Sequence, residues 1–431
     1  MARWIAQTRP VPTAFEVERF VDLEMPPARL QQEWAIIIYR IKKASGCGVH
    51  SQEVVQGLTF YARLLTPPEL TTALYIGVND DALRGMKAEF GLGSGDPLIQ
   101  IDEFRRFIFF SLVFGLRERG ERNYYLVYDA VAASLSMIPY LPPECSVAYT
   151  VAPLQMIRGG VCELAILACR PGALTQDQME RQMERRKEDV VCVWPQAAAA
   201  WKVLGRNFPE QSIWNLFNAD VMFSYGRKAF WVDLEQGLVH CDWPPADGAA
   251  VDFGFIGLPP GCPPDERWTR PTFEMSDMFS MTRDRTTAYV NGSIRFVWID
   301  RSCPLGNVNI SVWDLDPATK QWTKYKNFLA KVLWRLWSFK VGNLPDMELR
   351  FPILMADGSL CLLIHNMCKR REDPLEDYIC NVELPNLKVC WWGRLNQYHA
   401  SEHPVILPFD FFKLLNPLTP PQRNLRGIFT Q

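Results

Sequence analysis

The stretch Ala229-Phe-Trp-Val-Asp-Leu234, Glu235-Gln-Gly237, Leu238-Val-His-Cys241 decides the fold class. Two short runs of β-branched and aromatic residues flank a small polar turn, the pattern of a β-hairpin. The same grammar recurs along the chain. Tyr124–Asp129 and Leu135–Ile138 flank Ala130–Ser134 and stop at Pro139–Pro143. Asn291-Gly292 divides Thr287–Val290 from Ser293–Ile299, and this dipeptide suits the left-handed conformations of a two-residue hairpin turn. Asp316–Lys320 joins Asn309–Leu315 to Gln321–Tyr325, and Asp357-Gly358 joins Phe351–Met355 to Ser359–Ile364. Leu384-Pro-Asn-Leu387 joins Tyr378–Glu383 to Lys388–Trp392. Hairpins in this succession predict an all-β, propeller-like repeat of antiparallel strand pairs.

An aromatic residue just before an Asp recurs as Tyr128-Asp129, Trp231-Val-Asp233, Trp298-Ile-Asp300 and Trp313-Asp314. Asp129 and Asp233 are 104 positions apart, two units close to the ~50 residues of a kelch-type blade. Asp314 breaks that spacing. The 15 tryptophans suit blades that stack large rings between sheets.

Two helices interrupt the strands. Thr175 and Gln178 form a capping box, stapled by Leu174 and Met179, so 174–190 is expected to be a charged surface helix inserted between strands. Arg185, Arg186 and Lys187 near its end suit the helix dipole. Asn327–Phe339 places Phe328, Leu329, Val332, Leu333, Leu336 and Trp337 at helical spacing, which predicts an amphipathic helix packed on the domain. Residues 1–25 are Pro-punctuated and expected to be loosely held, and 26–425 to form one large domain.

Composition narrows the function class. Hydrophobic residues at 48% exclude a disordered chain, and 46 basic against 48 acidic groups remove the overall electrostatic footprint of a dedicated nucleic-acid binder. The twelve cysteines include no C-x-x-C pair, and the seven-residue spacings Cys162/Cys169 and Cys361/Cys368 fit no zinc pattern, so they read as reduced core thiols. His399 and His403 sit beside Pro404 in a loop-like run. The start lacks the ~7–15-residue apolar region of a secretory signal. Phe107–Leu116 is too short to span a bilayer, which takes ~20 residues as a helix. The expectation is an intracellular protein, cytoplasmic or nuclear, and monomeric. The triplets Asn291-Gly-Ser and Asn309-Ile-Ser are then expected to stay unglycosylated.

No G-x-S-x-G, H-E-x-x-H, Walker or S-x-x-K motif is present in the sequence. Gly91–Pro97 is glycine-rich but leads into the strand-like Leu98–Ile101 rather than a helix, so it reads as a loop and not a phosphate site. The clusters Arg185–Lys187 and Lys369–Arg371 are neutralised locally by Glu188-Asp189 and Glu372-Asp373. Asp129, Asp233, Asp300 and Asp314 invite a paired-carboxylate reading, but Asp at a strand end is more commonly a turn residue bonding its own backbone. No catalytic, cofactor-binding or metal-ligating residues are therefore assigned, and no cofactor is expected.

The run Phe223–Asp242 resembles the hallmark of a plant family expanded in grasses, the domain of unknown function 1618 proteins. Trp231, Val232, Asp233, Gly237, Cys241 and Asp242 fall on its hairpin pattern, and Phe255-Ile-Gly-Leu-Pro-Pro260 on the link that follows. The likeness covers roughly 70–395 and is sharpest over 223–325. It implies a β-rich, propeller-like fold related in style to F-box-associated domains, and no established activity, cofactor or catalytic residue. Two functions are expected on these grounds. The first is a non-enzymatic interaction module, scaffold- or adaptor-like, with a protein partner. The alternative is a propeller-type hydrolase acting on a carbohydrate or small ester.

Overall fold

Asn291 and Gly292 both take positive φ, 49° and 86°, so the dipeptide forms the tight turn that its chemistry favours. Gly358 does the same in the Asp357-Gly358 turn, with φ 84°. The computed structural model describes residues 13–16, 34–45, 51–63, 71–82, 84, 97–101, 107–116, 120–142, 144–147, 153–158, 161–171, 187–195, 198, 200–207, 217, 219–243, 250–262, 283–365, 376–396, 405–407 and 415–417.

The chain opens with β1 (Thr13–Glu16), β2 (Trp34–Ile37), β3 (Ile41–Ala44), α1 (Ser51–Gly57), β4 (Leu58–Arg63) and β5 (Thr71–Val78). A second unit is the antiparallel series β6 (Pro97–Ile101), β7 (Phe107–Leu116), β8 (Gly120–Asp129) and β9 (Ser134–Ile138), with β3 added parallel to β9. The third unit holds β10 (Ser146–Val147), β11 (Leu154–Arg158), β12 (Val161–Pro171), β13 (Lys187–Pro195) and β14 (Lys202–Asn207). The fourth is β15 (Val221–Tyr225), β16 (Lys228–Asp233), β17 (Gly237–Asp242) and β18 (Val251–Gly257). A short parallel bridge from β14 to β18 merges these two units into one nine-stranded sheet. Two four-stranded meanders follow: β19 (Arg285–Val290), β20 (Ser293–Asp300), β21 (Asn309–Asp316) and β22 (Gln321–Leu329), then β23 (Glu348–Leu354), β24 (Leu360–His365), β25 (Glu376–Glu383) and β26 (Lys388–Asn396).

The last two strands, β27 (Val405–Leu407) and β28 (Leu415–Pro417), return to the first sheet, whose order is β27-β1-β5-β4-β2-β28. Both chain ends thus share one sheet. Thr13–Glu16 pairs with β27 and β5, and the rest of residues 1–25 lies outside the described residues.

Successive units stack face to face. In the fourth, Ala229, Trp231, Val239 and Cys241 pack with Leu154, Met156, Ala165 and Val191 of the third. The alternate residues Phe230, Val232 and Leu238 pack with Ile294, Phe296 and Leu315 of the fifth. Val297, Ile310 and Val312 then meet Leu360, Leu362 and Ile364 of the sixth. A strand buried on both faces reads as a near-continuous apolar run, as Ala229–Leu234 does. The strands β11, β15, β19 and β23 of successive units are neighbours in succession, as the inner strands of propeller blades are. The architecture is predominantly β and propeller-like.

The helix expected over Asn327–Phe339 is corrected. Asn327–Leu329 complete β22, and two short helices follow, α2 (Ala330–Arg335) and α3 (Trp337–Val341). Leu336 between them is extended, with φ −61° and ψ 136°. Leu333 and Phe339 point into the core whereas Val332 and Trp337 face solvent, a division that one continuous amphipathic helix would not give. Of the helix expected over 174–190, residues 172–186 lie outside the described residues, and Lys187–Val190 open β13.

Candidate functional site

The four Asp residues are not gathered in one place. Because the strands of each unit alternate in direction, the start of the first strand and the end of the second lie at one end. Asp233 and Asp300 close second strands, whereas Asp129 closes the third strand of its unit and Asp314 lies late in the third strand of another. Asp129 Oδ1 accepts from the Val131 and Ala132 N–H groups at 2.8 and 3.1 Å. Asp233 Oδ1 accepts from Glu235 and Gln236 N–H at 2.8 and 3.1 Å, and Asp300 Oδ1 from Ser302 N–H at 2.9 Å. These three cap their own turns. Asp314 instead takes Arg295 Nε at 2.8 Å and Nη2 at 3.3 Å, and the Arg295 guanidinium carbon lies 4.0 Å from the Tyr325 ring centre.

A denser charged group sits where β19 and β23 begin. Glu348, 5% exposed, receives Arg283 at 2.6 Å, Arg301 at 2.8 Å and Arg350 at 2.7 Å. Arg301 Nε also donates to Asp284 at 2.6 Å. Burial works to raise the Glu348 carboxyl, but the hydrogen bonds and charges of Arg350, Arg301 and Arg283 outweigh it and hold the group below its ordinary range. On the neighbouring strand His365 pairs in register with Glu348, and its Nδ1 lies 3.0 and 3.1 Å from the two oxygens of buried Asp377. At the start of β15, Asp220 Oδ2 accepts from Leu234 N–H at 3.0 Å, while Arg285 donates to the Leu234 carbonyl at 2.8 Å. Burial pushes the Asp220 carboxyl up to about 7; the Leu234 bond opposes this, and Asp233 and Glu235 add to it. Sequence spacing gives no sign of these clusters, because Arg283, Arg301 and Arg285 come from a different unit than Glu348 and Leu234, and His365 meets Asp377 only through the pairing of adjacent strands.

The third feature is a surface. From Lys320 to Lys340 the chain carries Lys320, Lys324, Lys326, Lys331, Arg335 and Lys340 and no Asp or Glu. Lys326 donates to the Pro385 carbonyl at 3.1 Å, Lys331 to the Asn307 amide oxygen at 2.7 Å, and Lys324 Nζ lies 4.6 Å from the Trp313 ring centre. Among the described residues none of the six pairs with a carboxylate. Large apolar side chains are interspersed: Tyr325, Val332 and Val341 are exposed, and Trp337 is 70% exposed. β22, the outer strand of its unit, pairs with β21 alone among the described residues. The outer strand β26 of the next unit differs: α3 lies against it, and the Val389 N–H donates to Ser338 Oγ at 3.1 Å.

Nine cysteines are described, none of them in a disulfide among the described residues, and seven are buried. Burial pushes the Cys241 thiol up to about 12 and Cys262 to about 11. Among the described residues no group of three or more His, Cys, Asp or Glu is placed to hold a metal ion. No helix among them is long and apolar enough to cross a membrane, and Phe107–Leu116 is strand β7. His399, His403, Gly91–Asp96, Arg185, Arg186 and Lys369–Arg371 lie outside the described residues.

The stacked meanders and the sheet shared by both chain ends define a β-propeller-like protein. Residues 231–361 match the model of a family described as "Protein of unknown function (DUF1618)". The matched stretch contains the Trp231–Asp233 turn and the basic surface. No curated protein matches. Among solved structures, the chain is similar to the WD40 domain of SCAP from fission yeast, with 10% identity, 80% of this chain and 73% of that chain covered, and a TM-score of 0.29. It is similar to an α-L-arabinofuranosidase from Lactobacillus brevis, with 10% identity, coverage of 72% and 89%, and a TM-score of 0.30. It is also similar to a Synechocystis apocarotenoid oxygenase mutant, with 12% identity, coverage of 81% and 72%, and a TM-score of 0.38. Likenesses this distant say nothing about activity.

Proposed function

We infer that the chain is a protein-interaction module whose docking surface is the basic, aromatic rim formed by β22, α2 and α3. The observation that carries this is the run Lys320–Lys340, with six cations, no acid and no carboxylate partner among the described residues, in a chain whose net charge is −2. A rim of cations around exposed Trp337 and Tyr325 is suited to an acidic partner, since aromatic anchors supply affinity and charge supplies steering. The turn-capping roles of Asp129, Asp233 and Asp300 support a non-enzymatic reading of those residues. Buried cysteines outside any disulfide among the described residues support work in a reducing compartment, the cytosol or nucleus.

The test is affinity capture with the full chain against a Lys331→Glu/Arg335→Glu/Lys340→Glu variant, followed by reconstitution with each captured protein in purified form. A partner set held by the parent chain, lost from the variant and reproduced with purified components supports the reading. Partners that bind both chains equally, or none that reconstitutes, oppose it.

A propeller-type hydrolase of a carbohydrate or small ester is the second reading, favoured by one arrangement: His365 oriented by Asp377 beside the arginine-ringed Glu348. Turnover of such substrates by the purified chain, abolished in His365→Ala, would favour it.

A further inference from the structure

We propose that the rim binds its partner by strand addition: an extended acidic polypeptide segment pairs antiparallel or parallel with the open edge of β22, its carboxylates meeting Lys324 and Lys326. This rests on the interaction reading above and adds the partner's chemistry and mode of binding.

Three observations converge on it. First, the edge is open: β22 has one hydrogen-bonded neighbour among the described residues, and Gln321, Thr323, Lys324, Tyr325 and Asn327 along it are exposed. The outer edge of the following unit is shielded by α3 and by the Ser338 hydroxyl at Val389. Only a polypeptide brings N–H and C=O groups at the spacing a strand edge requires. Second, the cations flank that edge on both sides. Lys324 leans on Trp313, which packs in the seam with the fourth unit, while Lys326 reaches the Pro385 carbonyl of the sixth. Side chains of an added strand alternate between the two faces, so acidic residues on either face find a lysine. Third, the strand leads directly into α2 and α3, where Val332, Trp337 and Val341 give an apolar end-stop beside Arg335 and Lys340.

Lysines on an edge strand also guard against pairing between like chains. Both roles follow from one charge pattern, because lysine repels a second copy of this edge and attracts an acidic one. The bulge at Tyr325, where Trp313 opposes Lys324 and Val312 opposes Lys326, lets Tyr325 lie over Arg295 and marks where the added strand must adjust its register.

The experiment uses the full chain and a labelled peptide of the repeat Glu-Glu-Val-Val, which places carboxylates on both faces, about eight residues long to match a typical strand. Fluorescence anisotropy compares it with its Lys/Val counterpart and with the same Glu/Val peptide N-methylated at alternate positions, which keeps the charge and removes the edge bonds. The expected result is binding of the acidic peptide at least about tenfold tighter than either control, weakened by salt and lost in Lys324→Glu/Lys326→Glu. Equal binding of the N-methylated peptide overturns strand addition, and because that comparison uses the parent chain it does not depend on the variant folding. Tighter binding of a single-stranded oligothymidylate, or of phosphatidylserine vesicles, assigns the rim to another anion and overturns it as well. If partner capture depends on Lys331, Arg335 and Lys340 while no peptide pairs with β22, the interaction reading survives and strand addition alone is lost.

Discussion

Arg301 Nη1 and Glu348 lie 2.8 Å apart, joining the end of β20 in the fifth unit to the start of β23 in the sixth. Arg283 and Arg350 share the same carboxylate. Removing the carboxylate takes a shared buried partner from three arginines, so Glu348→Gln is expected to cost about 3–5 kcal/mol. Chemical denaturation of parent and variant checks this; a loss below about 1 kcal/mol, the level of a surface pair, would contradict it.

The same group predicts part of the acid response. The folded-state pKa of Glu348 lies below its unfolded value near ~4.3, so its stabilisation is fully present above that value and is lost as pH falls through the lower folded pKa. Stability measured from pH 7 to pH 2 should therefore fall less steeply below about pH 4.3 in Glu348→Gln than in the parent.

Asp220 runs the other way. Its folded pKa, raised to about 7, lies above the unfolded value, so its favourable contribution is complete below about pH 3.9 and is lost as pH rises through 7. Asp220→Asn keeps an oxygen for the Leu234 N–H and cannot ionise. It should raise the melting temperature at pH 8 and leave it nearly unchanged at pH 4. An equal shift at both values would contradict the assignment.

Trp231 is fully buried between the third and fourth units, with the Phe253 ring edge-on at 5.6 Å. Trp231→Ala should cost about 3–5 kcal/mol through lost burial and the cavity left behind. Gly292 separates a different cause: at φ 86° nothing lies within 4 Å of where a Cβ would stand, so Gly292→Ala carries backbone strain alone. Its cost should be about 1–2 kcal/mol, read from the same denaturation curves.

The hairpins were legible because their turn chemistry is local. Asn291-Gly292, Glu235–Gly237 and Asp357-Gly358 each state a turn without help from the rest of the chain. The turn roles of Asp129, Asp233 and Asp300 were legible for the same reason, as each bonds N–H groups two or three residues on. Asp314 was not, because its partner Arg295 is fixed by the register of β20 against β21. The arginines around Glu348 are 65 and 47 positions upstream and two positions downstream, with no spacing rule to collect them. Asn327–Phe339 misled because an apolar pattern at helical spacing also fits a strand end followed by two short helices. The basic surface did leave a signal in the sequence, six cations without an acid over Lys320–Lys340, but exposure and the lack of carboxylate partners required the fold.

Hydrogen–deuterium exchange of the full chain, alone and with the Glu-Glu-Val-Val peptide, tests the docking surface most directly. The amides of Gln321–Leu329 should gain protection with the acidic peptide and not with its lysine counterpart, while β26, whose edge is covered, stays unchanged. Protection elsewhere with none in β22, or the same protection from both peptides, would contradict the account.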